Sequence, residues 1–302
     1  MATQRKNIIG KLVFSLTAGC AFLCVGIVGW IMFNIVWGGR HHLTWNFLSA
    51  VPSEGMTEGG IFPAIIGTFF LVIIMSVVGV PFGTITALYL NEYVHRESKL
   101  AKAVRFAVNT LAGIPAIVFG LFGLGFFVQF IGGGIDNVFR GGDMLWGQPT
   151  ILWAALTMAL LTLPVVIVSV EEALKQVPRD LREASLALGA TKWQTVRKVV
   201  LPNSIGGILT GAILAVSRGA GEVAPILFTG AAYFLPHLPG QLSDQFMELG
   251  YHIFIMSTQS TDVTGTLGIQ YATTLVLLLL TFTLNFSAIW LRWRIRQNAV
   301  AA

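Results

Sequence analysis

Two charged side chains stand where charge is expensive. Arg218 and Glu222 lie inside an otherwise charge-free apolar stretch of about Ser204 to Phe234. Read as a helix starting at Ser204, the stretch carries Arg218 about 21 Å along its axis and Glu222 about 27 Å along it. In a hydrocarbon core roughly 30 Å thick, Arg218 falls beyond the midplane, with Glu222 nearer the far surface. A lone charge near the bilayer centre costs at least about 3 kcal/mol, so this face is expected to turn toward protein or water. The i, i+4 spacing lets the two side chains pair. A guanidinium offers a fork of donors that matches the oxygens of an oxyanion, and a neighbouring carboxylate holds that fork and moderates its grip. The plainer role for such a pair is a salt bridge locking this segment to a neighbour.

The second feature is a polar island between apolar runs, EEALKQVPRDLREASLALGATKWQTVRKVVLP, from Glu171 to Pro202. Pro178 suits a first helical position, where its missing N–H is not needed, so a helix is expected from there to Leu188. Gly189 suits the left-handed position just past a helix end. Thr191 followed three residues later by Gln194 has capping-box spacing, so a second helix is expected to start there and to stop before Pro202. The product is two helices with a sharp corner at Gly189. Taken alone, such an island reads more readily as an ordinary cytoplasmic amphipathic loop.

The elements that must position these residues are membrane spans. The chain has 302 residues, 55% of them hydrophobic and only 11% charged, with a mean hydropathy of +0.75. Long charge-free runs place it among polytopic helical membrane proteins, an all-α class. Six spans are expected, at about Leu12–Val36, Ile61–Leu90, Phe106–Ile131, Pro149–Val170, Ser204–Phe234 and Tyr271–Leu291. Pro81 is expected to kink the second. The net charge of +5 does not signal nucleic acid, because the basic residues sit in short segments beside apolar runs. Of 19 Lys and Arg, 16 fall in the N-terminal segment, the loop around Arg96, the 171–203 loop and the C-terminal segment. The positive-inside rule therefore puts both termini and the polar island in the cytoplasm. The expected organisation is a cytoplasmic N-terminal segment (1–11), a transmembrane domain (12–291) carrying the cytoplasmic loop 171–203, and a cytoplasmic C-terminal segment (292–302). The longest external loop, about Leu235 to Gln270, contains a mildly amphipathic patch at Gln245 to Met256. It reads either as a surface-lying helix that meets a binding protein or as a simple tether.

Several chemistries find no support. The chain contains no G-x-x-x-x-G-K-[ST], so it is not expected to hydrolyse ATP, and no H-E-x-x-H, G-x-S-x-G or C-x-x-C. Gly120 to Gly125 resembles a glycine-rich loop in composition only, since no strand precedes it. Cys20 and Cys24 share a helix face in the first span with no His or carboxylate beside them, and read as small membrane residues. The adjacent His41 and His42 read as an incidental external pair. No cofactor or metal is expected in this chain.

The spacing of the polar island resembles the coupling loop of ABC-importer permeases, whose pattern is E-A-A, three residues, G, nine residues, I, one residue, L-P. Here Glu183-Ala184-Ser185, Gly189, Val199 and Leu201-Pro202 carry it, with Ser185 and Val199 as conservative departures. Other segments are similar to the PstA-type branch of phosphate importers: Gly59 to Thr68, Asn109 to Pro115, Leu163 to Val166 leading to Glu171-Glu172-Ala173-Leu174, and Gly221-Glu222 with Ala224-Pro225. The similarity extends from Leu12 to Arg296. It implies a type I importer permease fold in a prokaryotic inner membrane and a docking role for Glu183, Ala184, Ser185, Gly189, Leu201 and Pro202. It further implies an anion pathway at Arg218 and Glu222. The implied partners are a dimer of ATP-binding subunits holding ATP and Mg, a second homologous permease, an extracytoplasmic anion-binding protein and membrane lipid, with no nucleic acid. Inorganic phosphate is the implied cargo; sulfate or molybdate is the alternative within the class. A secondary transporter, which would need internal inverted repeats and further membrane carboxylates, fits less well.

Overall fold

A computed structural model describes residues 2–53, 58–95, 98–260 and 262–301. Arg96, counted in the charge bias, lies outside them. The chain is mostly helical. α1 (Ala2–Gly39) is followed by the short α2 (Trp45–Ser49) and a two-strand hairpin, β1 (Pro52–Ser53) with β2 (Glu58–Gly59). Next come α3 (Phe62–Leu88), ending in a π-helical turn at Tyr89–Tyr93, then α4 (Lys99–Ala112), α5 (Ala116–Phe122) and α6 (Gly133–Phe139). α5 and α6 are continuous through a π-helical stretch, Gly123–Gly132. α7 (Ile151–Gln176), α8 (Arg179–Ala187), α9 (Lys192–Thr195), α10 (Leu201–Gly219), α11 (Leu249–Thr258) and α12 (Leu267–Ala301) complete the chain. Six helical segments among the described residues are long and apolar enough to cross a membrane: Gly10–Gly39, Phe62–Tyr93, Ala116–Phe139, Ile151–Gln176, Lys192–Gly219 and Leu267–Ile295.

All six expected spans are present, and the third, fourth and fifth have clearly different limits. The third begins at Ala116, ten residues later than expected, because Pro115 disfavours helical geometry at Ile114 and separates α4 from α5. Asn109 and Thr110 thus belong to α4 and not to the span. The fifth ends at Gly219, not Phe234, and residues 220–248 are irregular. The fourth continues past Val170 to Gln176 and takes Glu171, Glu172 and Lys175 into its last turns. Arg218 is therefore not the only charged residue within a span.

Helix assembly follows from small residues. Lipid is as apolar as a leucine side chain, so helices in a bilayer associate through close packing. α7 is the most buried span and takes a G-x-x-x-G face on each of two sides. Gly79 and Gly83 of α3 meet Ala159 and Val166, and a Cβ built on Gly83 would lie 2.6 Å from Val166 Cγ1. Gly207 and Gly211 of α10 press on Ala173 and Ser169. α1 packs chiefly on α12 near its end, where Gly38 and Gly39 lie against Tyr271 and Ala272, and most of its length is exposed.

The loop expected at 235–270 is not a simple tether: its amphipathic patch forms α11, partly buried, and the irregular segment before it is folded into this core. Its carbonyls cap the start of α7: Ile151 N–H donates to Asp244 O at 2.8 Å and Leu152 N–H to Leu242 O at 3.2 Å. Those amides have no partner within their own helix, and the loop satisfies them. Gly120 of α5 lets the carbonyls of Ala224 and Pro225 approach to 3.0 Å from where its Cβ would stand. α11 buries Leu249, His252, Ile255 and Met256. Glu248 caps α11, accepting from Gly250 N at 2.9 Å and Tyr251 N at 2.6 Å, with Thr68 Oγ1 of α3 at 3.5 Å. Burial pushes the Glu248 carboxyl up to about 7 against the pull of those hydrogen bonds. Burial pushes His252 down to about 4, and its Nδ1 has no partner.

Two outcomes are expected. Gly207→Val, which drives a side chain into Ala173, should lower stability by about 1–3 kcal/mol. Gly206→Ala, one residue along with open space at its Cβ, should be neutral or slightly stabilising; thermal unfolding of the two variants in detergent measures the contrast. The second concerns pH. Glu248 has a folded value of about 7 above its ordinary 4.5, so its contribution is full below pH 4.5 and is lost as pH rises toward 7. His252 has a folded value of about 4 below its ordinary 6.5, so its contribution is present above pH 6.5 and is lost as pH falls toward 4. The slopes oppose each other between pH 4.5 and 6.5. Relative to wild type, the melting temperature of Glu248→Gln should tilt upward with pH across that window, and that of His252→Leu downward. Parallel profiles would mean that neither group titrates as its burial requires.

Candidate functional site

The polar island folds as two short helices around one glycine. α8 starts after Pro178, which takes the cap position and not the first helical one, with its extended ψ of 141°. α8 ends at Ala187, and Gly189 then adopts φ +84°, a conformation that side chains rarely tolerate. Ala190 N–H donates back to Ser185 O at 3.2 Å, closing the turn. Thr191 opens α9 with a complete capping box: its Oγ1 accepts from Gln194 N at 3.2 Å while Gln194 Oε1 accepts from Thr191 N at 2.8 Å. Ser185 Oγ and Thr195 Oγ1 sit 2.9 Å apart and pin the two helices across the corner. The expected stop before Pro202 is absent. α9 runs through a π-helical turn, Val196–Val200, directly into α10, with Leu201 N–H reaching back to Val196 O. Pro202 follows directly on that π-helical turn, at the start of α10.

α8 has no buried residue. Glu183, Ala184 and Gly189 are exposed, Ser185 is half-buried, and Leu188 at the corner is 90% exposed. Leu181, Leu186 and Trp193 add to this apolar surface. Exposed apolar side chains on an otherwise polar helix pair mark a surface suited to another protein. Of the loop residues predicted to act in docking, the corner gathers Glu183, Ala184, Ser185 and Gly189. Leu201 and Pro202 belong to α10 instead: Leu201 lines an apolar groove of about 670 Å³ against Pro81, Leu88 and Tyr93 of the α3 segment. Pro202 lines a cavity of about 850 Å³ whose polar groups include Gln176, Asn203 and Arg292.

Arg218 and Glu222 do meet. Arg218 Nε lies 3.6 Å from Glu222 Oε1, a distance of ion pairing and not of a hydrogen bond. Their side chains are 40% and 30% exposed. The local structure differs from the helical expectation, however. α10 stops at Gly219, so Arg218 lies in its last turn, where a cation complements the negative end of the helix dipole. Glu222 follows on a non-helical turn, its N–H donating to Gly219 O at 3.4 Å, and the axial distance of about 27 Å expected for it does not apply. The break comes at Gly219, where a Cβ would strike Met75 of α3, and Gly221 beyond it stands in open space. One residue before Arg218, Ser217 Oγ donates to Asn285 Oδ1 of α12 at 2.7 Å, adding a polar cross-link that the sequence did not single out. Arg218 stands about 25 Å along α10 from Leu201, so the charged pair and the corner are separate sites joined by one continuous helix.

Also unmarked by any motif are two arginines beneath the corner. Arg182 of α8 pairs with Glu92, and Arg105 of α4 pairs with Glu171. Arg182 stands beside Glu183 in the motif, but its partner is 90 residues away, and no local pattern reveals it.

Comparison with known proteins agrees with this architecture. Residues 79–297 match the family described as binding-protein-dependent transport system inner membrane component. The chain is 30% identical over 310 residues to the probable ABC transporter permease protein YqgI of Bacillus subtilis, covering 99% of this chain and 100% of that one. It is 34% identical to the phosphate transport system permease protein PstA of Haemophilus influenzae, covering 75% of this chain and 73% of the relative. Among solved structures, a bacterial alginate ABC transporter crystallised with its pentasaccharide-bound periplasmic protein has the same fold. Its TM-score is 0.67 at 14% identity, covering 94% of each chain. The six spans and a family match over most of the length agree, and the chain belongs to the inner-membrane permease subunits of binding-protein-dependent ABC importers.

Proposed function

We propose that this chain forms half of the translocation pathway of an ATP-driven importer of inorganic phosphate. The observation that carries the substrate is the Arg218 fork, open at the broken end of α10 with only a loose 3.6 Å hold from Glu222. A guanidinium matches the oxygens of a tetrahedral oxyanion, and a carboxylate close by keeps the grip weak enough for release. The similarity to a phosphate permease supports the same cargo.

In this reading the termini and the 171–203 loop lie in the cytoplasm, as the distribution of basic residues requires. Residues 12–291 form the membrane domain, flanked by the cytoplasmic segments 1–11 and 292–302. A separate pair of ATP-binding subunits, carrying ATP and Mg, docks on the corner formed by Glu183, Ala184, Ser185, Leu188 and Gly189. A second, homologous permease completes the cavity, and an extracytoplasmic binding protein delivers the anion. Closure of the ATPase pair on ATP drives the corners of the two permeases together. α9 and α10 form one continuous rod, so that movement reaches Arg218 about 25 Å away and turns the cavity from inward-facing to outward-facing. Hydrolysis resets the cycle.

Uptake of labelled phosphate by cells lacking this chain tests the cargo, with wild type or Arg218→Ala restored and excess sulfate or molybdate as competitors. Wild type should restore uptake that ignores both competitors, and Arg218→Ala should reduce it by about 10-fold or more. Competition by sulfate or molybdate would reassign the anion, and full uptake by Arg218→Ala would leave that residue a structural role. The docking surface is tested independently. Gly189→Asp, which puts a side chain on a φ of +84°, should abolish co-purification of the ATP-binding subunit. Normal co-purification would remove the corner from the interface.

A further inference from the structure

Coupling requires that a push on α8 reach the membrane, yet α8 buries no residue of its own. A helix with no packed face would swing on its linkers unless something else held it. Ser185 ties α8 to Thr195 of α9, and a second side chain ties it to the spans. Arg182 points inward from α8 and uses its guanidinium on three partners. Nε donates to Glu92 Oε2 at 3.3 Å and Nη2 to Glu92 Oε1 at 2.8 Å, a two-point contact with a carboxylate in the terminal turn of α3. Nη2 also donates to Leu174 O at 2.8 Å, and Nη1 to Val177 O at 2.6 Å. Leu174 lies in the last turn of α7, where backbone carbonyls run out of helical donors. Asn91 Nδ2 donates to Glu92 Oε1 at 2.8 Å and orients that carboxylate from the other side.

A second arginine repeats the arrangement from the opposite flank. Arg105 of α4 donates from Nε to Glu171 Oε1 of α7 at 3.3 Å and from Nη2 to Leu90 O of the α3 terminal turn at 3.2 Å. Each arginine thus joins its own helix to both α3 and α7, through one carboxylate and at least one main-chain carbonyl. α3 and α7 are already locked together at Gly79 and Gly83. The Arg182–Glu92 pair is 18% and 9% exposed, so its geometry is better shielded from water than that of an ordinary surface bridge. Only a planar fork with several fixed donors can serve a carboxylate and two carbonyls at once; a lysine in the same place offers one compact charge.

We propose that Arg182, seconded by Arg105, is the positioning residue that makes α8, α4 and the ends of α3 and α7 a single lever, so that a displacement of α8 becomes a displacement of two spans and not a local bend. This rests on the reading of α8 as the ATPase-docking helix. Removing the clamp leaves the exposed corner intact, and the ATP-binding subunit still binds and hydrolyses ATP. What is lost is transport per ATP.

The test is the complete transporter, this chain with its partner subunits, reconstituted in liposomes. Three quantities are measured: ATP-binding subunit retained, ATP hydrolysed, and labelled phosphate moved per ATP. Glu92→Gln, Arg182→Gln and the double variant are compared with wild type. Glu92→Gln keeps both carbonyl contacts of Arg182, so it reads the bridge even if Arg182→Gln fails to accumulate. The expected result is normal retention of the ATP-binding subunit, hydrolysis within about 2-fold of wild type, and phosphate per ATP reduced about 5-fold or more. The double variant should be no worse than Arg182→Gln alone, because that variant already breaks the Glu92 bridge along with both carbonyl contacts. Phosphate per ATP equal to wild type, or a fall in transport and hydrolysis in the same proportion, would overturn the clamp. Failure of the docking reading is recognised separately, by Gly189→Asp retaining the ATP-binding subunit as well as wild type does.

Discussion

Everything in this molecule leans on the close approach of α3 and α10 to α7. In water, apolar faces are driven together; in lipid they gain nothing by exchanging one hydrocarbon neighbour for another, and only packing and polar contacts hold helices side by side. Gly79 and Gly83 on one flank and Gly207 and Gly211 on the other remove the side chains that would keep the axes apart. α7 is in consequence the central span, with Ala155, Met158, Val166 and Val170 buried against both neighbours. The two sites hang from this frame: the corner is carried below the end of α7, and Arg218 ends the helix that packs along it.

The frame also tolerates a long irregular segment in its midst, which lipid alone would not. Unpaired main-chain groups in hydrocarbon cost several kcal/mol each, so non-helical backbone survives at membrane depth only inside protein or beside a wet cavity. Residues 220–248 satisfy that condition by turning their carbonyls onto the amides that begin α7 and by letting Glu248 close the start of α11. Ending α10 at Gly219 therefore opens a non-helical turn next to Arg218, in which the amides of Ala220, Gly221 and Glu222 still donate to carbonyls of the last turn of α10. The loose ion pair and the broken helix belong to the same event. A continuous helix as far as Phe234 would have sheathed that turn in side chains.

Main-chain carbonyls are used in a parallel way at the other end. α7 finishes in the polar island, and the carbonyls of Leu174 and Val177 at its end, together with Glu92, receive Arg182. A helix end that needs donors and a short helix with no buried residue of its own satisfy each other. Leu188 and Trp193 beyond stay exposed.

Much of this was legible one residue at a time. The six apolar runs, the left-handed Gly189, the capping box of Thr191 with Gln194 and the pairing of Arg218 with Glu222 all rest on local rules: hydropathy over a span, the absence of a Cβ, a spacing of three or four residues. Those rules act within a few residues of chain, and so the sequence by itself determined them. It failed where the deciding contact was distant. Gly219 ends α10 against Met75, the irregular segment folds inward because the start of α7 needs its carbonyls, and Arg182 finds Glu92 across 90 residues. An apolar stretch such as Ala224 to Phe234 reads as helix when only its own composition speaks. Whether its backbone hydrogen bonds are made within the helix or to a neighbouring one is settled by which surfaces come together, and that only the tertiary structure decided.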